Sequence, residues 1–257
     1  MLKNSTNWSV NLDMETAELD FIYRRLVGNF IELGLEVPVL SYDSGVLDGF
    51  LDSYHRTFGF PDYGRSSRPK NEFLFEVRRD GKVVLQGEGG GIGIGDIRFT
   101  AKKLLLAGDP AVSIEGELEL PTGSASKGYG SGGIDSGVSL LADKRLGERF
   151  NSYFNFGVVF PGDLRWQERI DLKTFIHGGA AVEAAIWDKV SLLGQVMFQG
   201  SPLPRTGIGT VDRAAVLLTF GARCSLGKDM LEFSLTEDPN TAGAPDFQVN
   251  ATYRKKF

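Results

Sequence analysis

Apolar and polar side chains alternate residue by residue through most of this chain. Only a β-strand with two unlike faces has that period. The stretch Asp246 to Phe257 shows it most plainly. Phe247, Val249, Ala251, Tyr253 and Phe257 share one parity, and Gln248, Asn250, Thr252, Arg254 and Lys256 share the other. The same pattern predicts strands over Trp8–Met14, Glu18–Leu26, Ile31–Val39, Asp96–Leu106, Ala111–Pro121, Gly137–Arg145, Phe150–Pro161, Thr174–Ile186, Val190–Gln199, Ala214–Leu226 and Met230–Thr236. With the terminal stretch this makes about 12 strands.

The connections alternate in length. Val27–Asn29, Ala107–Pro110, Leu146–Glu148, Trp187–Lys189 and Gly227–Lys228 are tight. Residues 41–95, 122–136, 162–173, 200–213 and 237–245 form long loops. Tight turns at one end, long loops at the other and segments near ten residues describe an antiparallel transmembrane β-barrel. Trp8, Phe30, Phe150 and Phe257 fall near the tight-turn end, as an interfacial aromatic girdle predicts. Within the long loop 41–95, Val46, Leu47, Phe50, Leu51, Tyr54 and Phe58 have helical spacing. Glu72 to Gln86 reads as a hairpin turning at Asp80-Gly81. The chain is read as one barrel domain, residues 1–257, with that loop outside.

Composition closes other routes. The formal net charge is −5, which gives nucleic acid no electrostatic support. The single cysteine, Cys224, excludes an internal disulfide and a Cys-rich metal site. No stretch reaches the roughly 18 apolar residues of a membrane helix. The N-terminal residues lack the apolar run of a signal peptide, so an exported chain is expected to be mature or truncated at its start.

In a barrel the polar face lines the interior. The predicted lumenal side chains are Arg24, Glu32, Arg98, Lys102, Glu115, Glu117, Glu119, His177, Glu183, Arg223 and Glu232. Turn geometry sets Arg98 opposite Glu119, Lys102 opposite Glu115, Arg223 opposite Glu232 and Arg24 opposite Glu32. Each such pair adds roughly 0.2–1 kcal/mol. Glu115, Glu117 and Glu119 form an acidic stripe, either a cation-preferring constriction or a structural charge ladder.

Catalytic and cofactor signals are weak. Gly128-Tyr-Gly-Ser-Gly-Gly133 has the letters of a dinucleotide loop. It precedes a strand, so the helix end that would hold phosphate is missing. His177 and Glu183 lie about 20 Å apart along one strand, too far to share a proton or a metal. His177 or His55 could serve with Ser131 or Ser136, but no spacing supports a triad. The chain is read as a non-enzyme without cofactor or metal.

Leu47 to Arg65 resembles a loop motif of an uncharacterised, domain-of-unknown-function family of Gram-negative outer-membrane β-barrel proteins. Arg68–Phe73, Gly95–Phe99, Leu120–Gly123, Gly130–Asp135, Thr236-Glu-Asp and Ala244–Phe247 resemble that family too. The resemblance spans nearly the whole chain and implies a fold and a location, not an activity. The terminal strand resembles that of outer-membrane barrels, where the final aromatic and the Tyr four residues earlier act as an assembly signal. Here those are Phe257 and Tyr253. The resemblance implies outer-membrane lipid and the barrel-assembly machinery as partners. The expected function is a pore or uptake channel for a small solute, gated or plugged by the 41–95 loop. A closed structural or surface-interaction barrel and a lipid-modifying enzyme are the alternatives.

Overall fold

The structure is a computed structural model. It describes every residue except 1, 46, 48, 51, 52, 54, 55, 58, 60–70 and 241. The helix predicted over Val46 to Phe58, with His55, rests on residues most of which lie outside that set.

Eighteen strands form among the described residues. Eleven of them build one antiparallel wall, in the order β18 (Phe247–Arg254), β17 (Asp229–Glu237), β16 (Ala215–Leu226), β15 (Val190–Gln199), β14 (Phe175–Trp187), β11 (Phe150–Phe160), β10 (Asp135–Arg145), β9 (Ala111–Leu120), β8 (Ile97–Leu106), β4 (Ile31–Asp43), β3 (Glu15–Val27). The short β7 (Ile92–Ile94) pairs with β4 beyond the end of β8 and makes the twelfth strand of this sheet. β7 and β8 are thus one strand interrupted at Gly95-Asp96. Sequence neighbours in the wall pair antiparallel throughout, as tight hairpins and long returns require.

The wall is inverted relative to a water-soluble sheet. Its large apolar residues are exposed: Phe220 by 67%, Phe154 by 52% and Leu140 by 51%. On the opposite face Glu183 is only 8% exposed and Thr236 only 5%. Exposed apolar residues recur on almost every wall strand, from Leu19 and Phe21 on β3 to Val249 and Tyr253 on β18. A continuous apolar surface of that extent is not stable against water.

The apolar core lies elsewhere, and here the structure corrects the expected topology. Trp8–Met14 is not a wall strand. β2 (Trp8–Asp13) joins β1 (Leu2–Asn4) and the hairpin β5 (Leu74–Arg79) and β6 (Lys82–Gln86) in a separate four-stranded sheet, ordered β1-β2-β5-β6. Its alternation is real, but it faces the hairpin, with Trp8 opposite Arg79 and Val10 opposite Val77. Trp8 therefore lies in this core and not in a girdle at the tight-turn end. The hairpin turns at Asp80-Gly81 as predicted. Both residues have positive φ, 51° and 80°, the geometry that matches strand twist in a two-residue turn.

Trp8, Val10, Val77 and Val84 from this small sheet pack with Ile170, Ile208 and Val211. Ile170 belongs to a small two-stranded ribbon, β12 (Leu164–Arg165) and β13 (Arg169–Ile170), in the connection after β11. Ile208 and Val211 lie at a helical turn, Gly209–Asp212, in the connection after β15. The small sheet thus packs on the connections at the long-loop end of the wall, and is called the lid for that position alone.

Candidate pore lining and mouth

Two ion-pair clusters occupy the polar face. In the first, Arg98 on β8 reaches Glu119 on β9 at 2.8 Å and Glu36 on β4 at 3.1 Å. Lys102, two polar-face steps further along β8, meets Glu32 on β4 at 2.7 Å. In the second, Arg223 on β16 bridges Glu232 on β17 and Glu183 on β14, both at 2.8 Å. The Tyr153 hydroxyl on β11 donates to the same Glu183 oxygen at 2.6 Å. Both clusters follow from the period of two: residues two apart on neighbouring strands share a face, so long side chains meet across the ladder.

The predicted registers hold for Arg98 opposite Glu119, Lys102 opposite Glu115 and Arg223 opposite Glu232. The ion pair of Lys102, however, goes to Glu32 on the other neighbouring strand. Arg24 does not face Glu32. The β3–β4 turn spans residues 28–30, which sets Arg24 opposite Gly34 and Leu26 opposite Glu32. The turn is one residue further along than expected, which preserves the face and shifts the partner by two. Glu117 lies opposite Thr100 and Gly137, and Glu115 opposite Ser139. His177 meets Ser139 at 3.3 Å, not Ser131 or Ser136. Glu36 and Tyr153 were missed. Glu36 shares a parity with Glu32, which signals it; nothing in the spacing marks Tyr153 as a carboxylate donor.

The lid is tied to the long-loop end of the wall on both sides. On the β4 side the Tyr42 ring stacks on Tyr129 at 5.3 Å and meets Phe75 edge-on. Its hydroxyl donates to the Gly128 carbonyl at 2.7 Å. On the far side Glu168 receives Lys82 at 2.8 Å and Arg79 at 3.2 Å. The Lys82 ammonium and the Arg79 guanidinium hold the Glu168 carboxyl below its usual range. The Ser5 hydroxyl donates to the Thr206 carbonyl at 2.6 Å. Asp212 organises that loop by accepting from the Thr206 amide and hydroxyl and the Gly207 amide. Burial pushes the Asp212 carboxyl up, but these hydrogen bonds outweigh burial and leave it below its usual range.

The glycine-rich run holds one of the protein's own carboxylates. Asp96, at the break between β7 and β8, accepts the amides of Gly123 and Ser131, each at 2.8 Å. A Cβ at Gly130 would collide with that carboxylate, so the close approach requires glycine. Next to it a cavity of about 220 Å³ lies between the wall and the glycine loop, lined by Glu18, Glu36, Asp96, Arg98, Glu119 and Tyr129. Among the described residues no group of three or more His, Cys, Asp or Glu side chains is placed to hold a metal ion.

The model of a family described as "Protein of unknown function (DUF3187)" matches residues 4–257. No curated protein matches the chain. Among solved structures, the COG4313 outer membrane channel from Pseudomonas putida F1 superposes with a TM-score of 0.61 at 14% identity, over 96% of this chain and 83% of that one. That likeness is one of fold. The CymD monoaromatic hydrocarbon channel gives a TM-score of 0.39 at 12% identity, over 91% of this chain and 75% of that one, and adds nothing to the assignment.

Proposed function

We propose that this chain, which belongs to the DUF3187 family of proteins of unknown function, is a β-barrel channel for a small solute in the outer membrane of a Gram-negative bacterium. The wall forms the body of the barrel, with its apolar face to lipid and its polar face to the lumen. Arg98, Lys102, Glu115, Glu117, Glu119, His177, Glu183, Arg223, Glu232, Arg24 and Glu32 line that lumen. The C-terminus is periplasmic, and Tyr253 and Phe257 serve as the assembly signal to the barrel-assembly machinery. The long connections are extracellular, and the lid closes their end. Residues 74–86 of the long loop supply part of that lid.

One observation carries the reading: the wall exposes its large apolar residues and shelters Glu183 and Thr236 on its polar face, the inverse of a soluble sheet. A channel needs no reacting centre, and the polar face offers paired charges, not a poised nucleophile.

Single-channel recording of the refolded protein in a planar bilayer tests the claim. Discrete steps are expected, larger once residues 74–86 are removed. A silent bilayer despite proven insertion, with and without that hairpin, contradicts it and favours a closed barrel that acts through its loops.

A further inference from the structure

The two edges of the wall, β3 and β18, pose a closure problem. Each wall strand pairs antiparallel with the next, and eleven lie in the path. The first and last therefore run the same way. Both start at the long-loop end, β3 at Glu15 and β18 at Phe247. Among the described residues neither edge pairs with any other strand. On β3, all residues after Glu15 are exposed on both faces. At the top of the gap, Leu47 donates its amide to Glu15, and the Phe50 ring lies 6.1 Å from that of Phe247. Loop residues thus span from one edge to the other where no strand does. In a bilayer, open edges leave amides and carbonyls without partners, which lipid does not tolerate. An antiparallel closure requires a strand that runs the opposite way.

We propose that the N-terminal segment Leu2–Asp13 is that strand, and that it has two docking places: the lid, where it lies in this structure, and the seam between β3 and β18. The proposal rests on the channel reading above. The segment runs directly into β3 through the single residue Met14, so a hairpin at Glu15-Thr16 lays it antiparallel along β3. That turn sets Leu12 opposite Leu19, Val10 opposite Phe21 and Trp8 opposite Tyr23. All six side chains then fall on the apolar face. The other parity, Lys3, Ser5, Asn7, Ser9, Asn11 and Asp13, is polar throughout, as a lumenal face requires. A second copy cannot supply the strand, because copies sharing one membrane orientation present β3 and β18 running the same way again. Transfer couples two events. The lid loses Trp8 and Val10 from its core, which frees the mouth, and the wall gains its missing strand.

Cysteine pairs in a Cys224→Ser background of the full chain, reconstituted in lipid vesicles, decide this. Val10→Cys with Val77→Cys reports the lid position, since those residues are opposed in the structure. Val10→Cys with Phe21→Cys reports the seam. Phe21→Cys with Val249→Cys reports direct contact of the two edges. We expect both Val10 pairs to cross-link, and the seam-locked form to conduct several-fold more than the lid-locked form. The proposal is overturned if the lid pair forms fully and the seam pair never forms. It is equally overturned if the Phe21–Val249 pair forms in its place. Silence of both locked forms counts against the channel, while the cross-link yields still decide the transfer.

Discussion

Arg223 ties β16 to β17 through Glu232 and to β14 through Glu183, and Tyr153 adds β11. Glu183 is 8% exposed, so removal of the guanidinium strands a sheltered charge. Arg223→Met is expected to lower stability in urea unfolding by about 2–3 kcal/mol. Lys102→Met is expected to cost under about 1 kcal/mol, because Lys102 and Glu32 are each about 30% exposed. Equal losses would show that burial of the partner does not set the cost. These partners were partly legible in the sequence. Residues joined by a tight turn, such as Arg223 and Glu232, have their register fixed by that turn. Glu183 reaches Arg223 across β15, which separates β14 from β16, and no local pattern encodes a contact between strands that do not pair. The Lys102–Glu32 pair was hidden for a related reason: β8 has two neighbours, and only one follows it through a short turn.

At the scale of elements, the lid is the part the sequence concealed. Trp8, Val10 and Leu12 alternate like any wall strand, and alternation does not say which sheet receives them. The hairpin at Asp80-Gly81 was legible because its turn chemistry is local. Its union with the N-terminus was not, because β2 and β5 are far apart in the chain. The Glu168 latch gives this element a pH dependence. The carboxyl is held below its ordinary value of about 4.3. Its contribution is therefore whole above that value and is lost as pH falls through the lower folded value. A spin label at Gln86→Cys, in a Cys224→Ser background, is expected to gain mobility in that acid range. Glu168→Gln is expected to abolish that transition and to leave the label mobile at neutral pH. Unchanged mobility in both proteins would show that the latch does not hold the lid.

For the whole molecule, the wall, its alternating connections and its two unlike faces were legible in the sequence, because each follows from a period of two and from turn residues. The closure of the wall was not, since it depends on where one strand docks. The central claim is that the apolar face meets lipid. Spin labels placed singly along β11 (Phe150–Phe160) of vesicle-reconstituted protein, again with Cys224→Ser, test it by their accessibility to dissolved oxygen, which concentrates in hydrocarbon. The expected profile alternates residue by residue, with maxima at Phe154, Phe156 and Val158 and minima at Tyr153, Asn155 and Gly157. A flat profile, or maxima on the Tyr153 side, would contradict the account.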